Sequence, residues 1–245
     1  MIVRSFYSIK HLLRLCDCLL THKTEPIRFR ENRYHFFCTY WWNNVSQQIF
    51  DDEISPYFNA LGDFSPSVIL DVGAASGHFG IVASRIFDPC TVYAFEPSRR
   101  QRILLSRNAR LNRVDRLIIE PFGLWNRADM LPFRTVGAES SFAPVSRFRG
   151  VLDFPEMLAV STLDRWSKDK RISRIDLIKI DAEGAEIEIL EGAQATLARF
   201  HPHLLLQAYH LRNGSRTFER CAHMLKSQGY KVHEFPPHKG LLVAR

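Results

Sequence analysis

Five short apolar segments recur between amphipathic ones from residue 67 to about residue 210, and this alternation constrains the fold more than any other feature. Each apolar segment is five to seven residues long, which is typical of strands buried on both faces of a sheet. Strands that alternate with helices predict an α/β fold, with a mostly parallel sheet covered by helices on both faces. The predicted strands are Ser67–Val72, Thr91–Phe95, Arg116–Glu120, Ile175–Ile180 and His203–Tyr209. The predicted helices are Phe79–Phe87, Ser98–Leu111 and Ala185–Ala198.

The C-terminal part of the chain departs from this alternation. A predicted helix over 215–227 precedes two strands, Tyr230–Phe235 and Gly240–Ala244. These two strands predict an antiparallel hairpin that extends one edge of the sheet. Residues 125–160 contain scattered Gly, Pro and Ser, and we predict that they are irregular.

The N-terminal part predicts a separate elaboration over residues 1–62, which caps the substrate side of a main domain over residues 63–245. Its elements are predicted from helical spacing of apolar residues and from runs of aromatic residues. They are a helix over 3–20, two short strands within 26–40 with Asn32 in the turn between them, and a helix over 43–61 that ends at Gly62.

Several polar or small residues fall where the predicted strands end. Asp71, Glu96, Gly123 and Asp181 each lie at or just after such an end. In an open parallel sheet, ligands bind in the crevice beyond the carboxyl ends of the strands. The sequence therefore predicts a ligand site at this edge.

A glycine-containing loop, Asp71-Val-Gly-Ala-Ala-Ser-Gly77, joins the first of these strands to a helix. Gly73 permits a sharp turn, Ala74 follows it, and Gly77 permits a close approach of the helix start. We expect the missing Cβ atoms to make room for a nucleoside and an amino-acid tail. The G-x-x-x-G spacing differs from the G-x-G-x-x-G of dinucleotide folds, which argues against a nicotinamide-dependent oxidoreductase. We expect Asp71 to accept a hydrogen bond from the ammonium of that tail, directly or through water.

Glu96 ends the second predicted strand, 19 residues after Gly77, and Pro97 follows it. A carboxylate at this point can accept hydrogen bonds from both ribose hydroxyls of a nucleoside. Two simpler interpretations stay open. Glu96 could be a surface acid before a proline turn, and Asp71 could cap the next helix.

Longer motifs in the same region resemble the FkbM-type methyltransferases. The resemblance covers roughly residues 67–210. It is carried by Asp71–Gly77, by Tyr93-Ala-Phe-Glu-Pro97, and above all by Asp176-Leu-Ile-Lys-Ile-Asp-Ala-Glu-Gly-Ala-Glu186, with Asn108, Ser161–Asp164 and Ile189–Gly192 in support.

This resemblance implies a Rossmann-like methyltransferase sheet with S-adenosylmethionine as the methyl donor. It also implies methylation of an oxygen on a sugar, glycan or secondary metabolite. The chain departs from the family pattern at Ala75, where an Asn is frequent, and at Gln207, where some members have an acid. Tyr209-His210 matches a pair found in other members.

Candidate groups for the chemistry cluster near the fourth and fifth strand ends. Methyl transfer from a sulfonium depends on positioning, and an alcohol acceptor also needs a base. The candidates are Lys179, Asp181, Glu183 and His210. Lys179 and Asp181 should point to one face of their strand, and we expect Lys179 to pair with Asp181 or Glu183. The alternatives are an internal ion pair that only holds the loop, and a structural His210.

Metal and disulfide sites have weaker signals. Asp181 and Glu183 offer oxygen ligands that suit Mg²⁺, but two carboxylates fall short of a full site, so we predict no metal ligands. The cysteine spacing matches neither a disulfide framework nor a zinc site, and we expect buried thiols in a reducing cytoplasm. These cysteines are Cys16, Cys18, Cys38, Cys90 and Cys221.

Charge and hydropathy limit the partners. Lys and Arg exceed Asp and Glu by seven, which favours an acidic partner or only a basic surface. Arg134, Arg147 and Arg149, with Ser140 and Ser141, lie in an insert expected near a small-molecule or glycan acceptor. No segment has the roughly 20 apolar residues that span a bilayer. The helix over 3–20 is expected to pack on the body or to lie on a membrane surface.

Two further functions stay open as alternatives. A nucleic-acid methyltransferase is disfavoured, because no Asn/Asp-Pro-Pro-Tyr/Phe motif follows the fourth strand. A catalytically silent protein that binds the cofactor or a partner is left open by Ala75 and Gln207.

Overall fold

A computed structural model describes residues 24–37, 47–48, 50–136, 139–141, 156–212, 214–236, 238 and 240–245. The predicted helix over 3–20, with Cys16 and Cys18, lies outside these residues. So do Cys38, Arg147 and Arg149. Within the described ranges, no helix is both long enough and apolar enough to cross a membrane.

The described chain begins with a hairpin of β1 (Thr24–Phe29) and β2 (Asn32–Phe37), as the sequence predicts. The predicted position of Asn32 is wrong, because Asn32 opens β2 and the turn is Arg30-Glu31.

A π-helical turn over Phe50–Ile54 leads into α1 (Ser55–Leu61). Pro56 suits the first turn of this helix, where a backbone N–H has no helical acceptor. Gly62 ends the helix at φ 60°, as predicted.

The first half of the main domain alternates strands and helices as predicted. Its elements are β3 (Val68–Val72), α2 (His78–Ile86), β4 (Thr91–Phe95), α3 (Arg99–Leu111) and β5 (Leu117–Glu120).

A second, smaller sheet replaces the irregular segment that we predicted over residues 125–160. It contains β6 (Gly123–Leu124), β7 (Asp129–Val136), β8 (Glu139–Ser141) and β9 (Glu156–Ser161), in the order β6-β9-β7-β8. The prediction was wrong because Pro132 and Gly123 weaken the local strand signal. The antiparallel pairing of β7 with β9 is instead made across a long stretch of sequence.

The remaining elements complete the large sheet. They are α4 (Leu163–Asp169), β10 (Leu177–Ile180), α5 (Glu186–Glu191), α6 (Gln194–Phe200), β11 (His203–Gln207), β12 (Leu211–Arg212), β13 (Ser215–Arg216), α7 (Thr217–Ser227), β14 (Val232–Glu234) and β15 (Leu241–Ala244).

The large sheet has seven strands in the order β14-β15-β11-β10-β3-β4-β5. Its five strands from β11 to β5 are parallel. The pairing of β15 is antiparallel with both β11 and β14, which confirms the C-terminal hairpin. In this order β10, β3 and β4 are neighbours, so their carboxyl ends form one continuous edge.

The two faces of the sheet bury separate cores. Leu70 and Ile178 belong to the core formed with α4, α5, α6 and α7. Ile69 and Leu177 belong to the core formed with the hairpin, α1, α2 and α3. Because side chains alternate along a strand, residues two positions after Ile69 and Leu177 face this second, N-terminal layer.

Gly192 divides the helix that we predicted as continuous over Ala185–Ala198 into α5 and α6. A Cβ on Gly192 would overlap the backbone carbonyl of Trp125, just after β6. Asp164 stabilises the start of α6 by accepting hydrogen bonds from the backbone N–H groups of Ala195 and Thr196, at 3.1 and 2.7 Å. Gly192 thus lets the helices approach the second sheet.

We predict that Gly192→Ala lowers the free energy of unfolding by about 2–3 kcal/mol, because the clash is with backbone and cannot be relieved by a rotamer change. Chemical denaturation measures this loss. As a comparison, Gly214→Ala should cost about 1 kcal/mol. Gly214 has φ 82°, and a Cβ there would meet nothing within 4 Å. Equal losses in the two variants would show that contact with Trp125 does not constrain position 192.

Candidate functional site

The loop after β3 lies between the ends of β4 and β10. The N–H groups of Gly73 and Ala74 both donate to the carbonyl of Phe95, each at 3.1 Å. On the other side, the N–H of Asp181 donates to the carbonyl of Val72 at 3.0 Å. The structure therefore brings the loop, Glu96 and Asp181 together at one edge, as the sequence predicts.

A buried ion pair lies beneath this loop. The Nζ of Lys179 lies 3.2 Å from Oδ1 of Asp71, and the two side chains are 3% and 0% exposed. The same Nζ donates to the carbonyl oxygen of Gly73 at 3.1 Å. The pair follows from strand register, since Lys179 lies opposite Asp71 in the parallel pairing of β10 with β3.

Opposing effects act on the protonation of this pair. Burial raises the pKa of Asp71, while the positive charge of Lys179 lowers it. Burial also disfavours the charged form of Lys179, but the carboxylates of Asp71 and Asp181 outweigh it and raise the pKa of the ammonium group. Lys179 therefore stays a cation, which fixes the loop through Gly73.

Two predictions about this pair need correction. Lys179 pairs with Asp71 rather than with Asp181 or Glu183, because the carboxylate opposite it in the register is the one in reach. Asp71 is fully buried, so it does not present its carboxylate to the ammonium of a ligand. The internal ion pair that holds the loop is the alternative that the structure supports.

The loop glycines are explained by contacts within the protein. A Cβ on Gly73 would overlap the backbone carbonyl of Asp181, and a Cβ on Gly77 would overlap the side chain of Leu105. Both glycines have positive φ, at 74° and 90°. The expectation that their missing Cβ atoms make room for a ligand is therefore wrong. They make room for the end of β10 and for α3.

Ala75 occupies the position where the resemblance implies a frequent Asn. Its φ is 46°, in the left-handed region that Asn tolerates better than most residues. Its backbone N–H donates to Oε2 of Glu96 at 2.8 Å. The loop thus keeps its contact with Glu96 although the amide side chain is missing.

Glu96 is held by backbone donors at the end of β4. Its Oε2 accepts from Ala75, and its Oε1 accepts from the N–H of Ser98 at 2.8 Å. The side chain is almost fully buried, and burial raises its pKa to about 7 against the lowering effect of these donors and of Arg102. Each carboxylate oxygen can accept a second hydrogen bond, so the group suits a ribose diol. Pro97 lies half-buried beside it, and Gly123 lies buried at the start of β6.

Asp181 receives a hydrogen bond from a residue that the sequence analysis did not identify. The hydroxyl of Tyr57, in α1, donates to Oδ2 of Asp181 at 3.1 Å. Tyr57 is 1% exposed, and its ring packs edge-on against Phe79 with 5.6 Å between centroids. Burial raises the pKa of Tyr57 well above its usual value, so its hydroxyl remains a donor. A tyrosine within an amphipathic helix gives no local signal of this contact.

His210 bridges two carboxylates. Its Nε2 lies 3.1 Å from Oε2 of Glu183, and its Nδ1 lies 3.3 Å from Oε1 of Glu186. Burial favours the neutral ring, but the two carboxylates outweigh it and raise the pKa to about 10. An imidazolium has no lone pair with which to accept a proton. The geometry therefore does not support His210 as a base at neutral pH.

The acids near Asp181 interact with one another and with His210. Glu183 has φ 51° and directs its carboxylate to His210. The pKa of the Glu53 carboxyl is raised mainly by partial burial and further by the nearby charges of Asp181 and Glu183. Among the described residues, no group of three or more His, Cys, Asp or Glu could hold a metal ion. The alternative of Mg²⁺ at Asp181 and Glu183 thus finds no support.

The residues from this loop to the C-terminal hairpin match a known family. The model of the methyltransferase FkbM domain matches residues 71–232, about two thirds of the chain. The chain belongs to the FkbM methyltransferase family. The matched residues include the loop, Glu96, the Lys179–Asp71 pair and His210, whereas Tyr57 precedes them.

Known proteins that are similar to this chain include a methyltransferase compared by sequence and a methyltransferase of solved structure. Methyltransferase sdnD from Sordaria araneosa is 29% identical over an alignment of 177 positions, and the match covers 60% of this chain and 67% of that protein. The crystal structure of methyltransferase FkbM from Methylobacillus flagellatus KT is 20% identical, with a TM-score of 0.51. That match covers 76% of this chain but only 45% of the longer protein, and it confirms the Rossmann-like methyltransferase fold.

We predict that Lys179→Met destabilises the protein by about 3–5 kcal/mol, because it leaves the Asp71 carboxyl buried without its counter-ion. The double variant Asp71→Asn/Lys179→Met should recover much of this loss, since neither charge remains. Urea denaturation of the wild type and both variants measures the difference. A double variant no more stable than Lys179→Met would contradict the dependence on charge pairing.

We also predict a pH dependence from His210. Its pKa in the folded protein is about 10, above the usual 6.5. The stabilisation that the charged ring contributes is therefore fully present below pH 6.5 and is lost as the pH rises through 10. The stability margin of the wild type over His210→Gln should therefore shrink between about pH 7 and about pH 10. Unfolding curves across this range check it. A constant margin would show that the ring is not a cation in the folded state.

Proposed function

We propose that the chain is an S-adenosylmethionine-dependent methyltransferase that methylates a hydroxyl on a sugar, glycan or secondary metabolite. The observation that carries this proposal is one loop that contacts both the Glu96 carboxylate and the backbone of Asp181. Gly73 packs against the carbonyl of Asp181, and Ala75 donates to Glu96. A donor and an acceptor bound at these two carboxylates would lie side by side at the same edge of the sheet.

The donor side of the edge is assigned to Glu96 and the loop. Glu96 would accept the ribose hydroxyls, and the backbone of Gly73, Ala74 and Gly77 would border the rest of the donor. Pro97, just after β4, and Gly123, at the start of β6, would flank the nucleoside. Asp71 contributes through Lys179, which fixes the carbonyl of Gly73. When bound, the donor supplies an activated methyl group on a sulfonium.

The acceptor side is assigned to Asp181. Its carboxylate is partly exposed at the end of β10, where it can accept the proton of an acceptor hydroxyl. Lys179 lies on the same face and contributes positive charge nearby. Glu183 and His210 hold the wall of the site through their ion pair. Membership of a methyltransferase family supports transfer of a methyl group as the reaction.

We predict that donor affinity depends on the protonation of Glu96. Ribose hydroxyls donate to its carboxylate, and the pKa of this group is about 7. Affinity for S-adenosylmethionine should therefore fall about tenfold from about pH 8 to about pH 6. Glu96→Gln should bind the donor more weakly and without this pH dependence. Isothermal titration calorimetry measures both.

Glu120→Gln is the matched control for this experiment. Glu120 is also buried and ends the neighbouring strand β5, where its carboxylate pairs with Lys170 at 2.9 Å. This variant should bind the donor as the wild type does. Unchanged affinity in Glu96→Gln would remove Glu96 from the donor site. Donor binding with no methyl transfer to any hydroxyl in a panel of glycans and metabolites would instead indicate a catalytically silent protein.

A further inference from the structure

Tyr57 reaches the edge of the sheet from a different layer of the molecule. It lies in α1, before the residues that match the family model, and its hydroxyl donates to Asp181 at 3.1 Å. Its ring also lies 5.7 Å from the Nζ of Lys179. One side chain therefore contacts both Lys179, in β10, and Asp181, directly after that strand.

We propose that Tyr57 is a positioning residue that orients the Asp181 carboxylate for the acceptor hydroxyl, so that α1 forms part of the site. This inference rests on the proposed function, because it assumes that Asp181 faces the acceptor.

The hydrogen bond restricts a group that is otherwise free to rotate. The terminal torsion of an Asp side chain has a broad energy profile, so the chain alone does not fix its two oxygens. A hydroxyl that donates to a carboxylate makes a charge-assisted hydrogen bond, which is stronger than a neutral one. With Oδ2 held by Tyr57, Oδ1 is the oxygen that remains for the acceptor.

Tyr57 is itself held rigidly. The residue is buried, and its ring packs edge-on against Phe79. The neighbouring Phe58 stacks on the same Phe79 ring, with 5.1 Å between centroids. The hydroxyl therefore cannot move with the Asp181 carboxylate if that group rotates. The hydrogen bond thus favours one orientation of the carboxylate.

The contact also links the acceptor side to the donor loop. Tyr57 contacts Asp181 through its hydroxyl and Lys179 through its ring face. Lys179 in turn binds the carbonyl of Gly73 in the loop. A shift of α1 would move the base and the loop together, which keeps their relative placement. Placement to within about 1 Å decides the rate of such a reaction.

Tyr57→Phe tests this proposal because it removes the hydroxyl and keeps the ring. Tyr34→Phe is the matched control. Tyr34 is 2% exposed in the hairpin, and its hydroxyl has no hydrogen-bond partner among the described residues. Both variants delete one buried hydroxyl, but only Tyr57→Phe deletes a donor to Asp181.

The first measurement is independent of turnover. The proton of a buried hydroxyl that donates to a carboxylate exchanges slowly and gives a downfield proton resonance. We expect this resonance in the wild type and in Tyr34→Phe, and its loss in Tyr57→Phe and in Asp181→Ala. A wild-type spectrum without it, or a resonance that survives in Asp181→Ala, would overturn the proposal.

The second measurement is a double-mutant cycle on methyl transfer. Tyr57→Phe should lower kcat about 10- to 100-fold, as expected for losing a hydrogen bond to a charged group, with KM for the donor unchanged. In an Asp181→Ala background the same substitution should change kcat by less than about twofold, because its target is gone. Tyr34→Phe should leave kcat unchanged in both backgrounds.

Two kinetic outcomes would contradict the positioning role. One is a kcat of Tyr57→Phe equal to that of Tyr34→Phe, and the other is an equal loss with and without Asp181. A failure of the proposed function differs from both. The wild type would then transfer no methyl group at all, while the hydroxyl resonance would still report the contact.

Discussion

The ion pair between Lys179 and Asp71 is the interaction on which the rest of the site depends. Both charges lie beneath the loop in the core between the sheet and the N-terminal layer, where an unpaired charge would cost several kcal/mol. Lys179 also donates a hydrogen bond to the carbonyl of Gly73, and this contact fixes the turn of the loop. That turn brings Gly73 against the end of β10 and Ala75 against Glu96. The same buried pair therefore positions the loop against Glu96 and the end of β10, where we propose that the donor and the acceptor bind.

Three acid or base groups at this edge are given different properties by different surroundings. Glu96 accepts two backbone N–H groups in a buried position, and its pKa is about 7. Asp181 is partly exposed and is held by the hydroxyl of Tyr57 from another layer. His210 lies between two carboxylates, which keep it cationic and make it a structural bridge. Burial, hydrogen-bond donors and neighbouring charge thus differ at the three groups, for which we propose the roles of donor ligand, base and structural bridge.

Several motif residues that carry the family resemblance act on packing rather than on chemistry. Asp164 caps α6, and Gly192 lets that helix pair approach the carbonyl of Trp125. Asn108 accepts from the N–H of Phe37 and donates to the carbonyl of Ser76, so it ties the hairpin to the loop. These contacts set the position of the edge, so the presence of these residues in the motifs is explained without contact with a ligand. At Ala75, where the resemblance implies a frequent Asn, the backbone N–H makes the contact with Glu96.

The sequence by itself determined the parallel strands, the C-terminal hairpin, the family and the strand ends at which the polar residues meet. These follow from local hydrophobic period and from motif order, which do not depend on distant contacts. Only the tertiary structure decided that Lys179 pairs with Asp71, that the loop glycines accommodate protein atoms, that β7 pairs with β9, and that Tyr57 reaches Asp181. Each of these depends on strand register or on the packing of layers that are far apart in the chain. Residue types and spacing along the sequence do not encode which of several nearby partners lies within hydrogen-bonding distance.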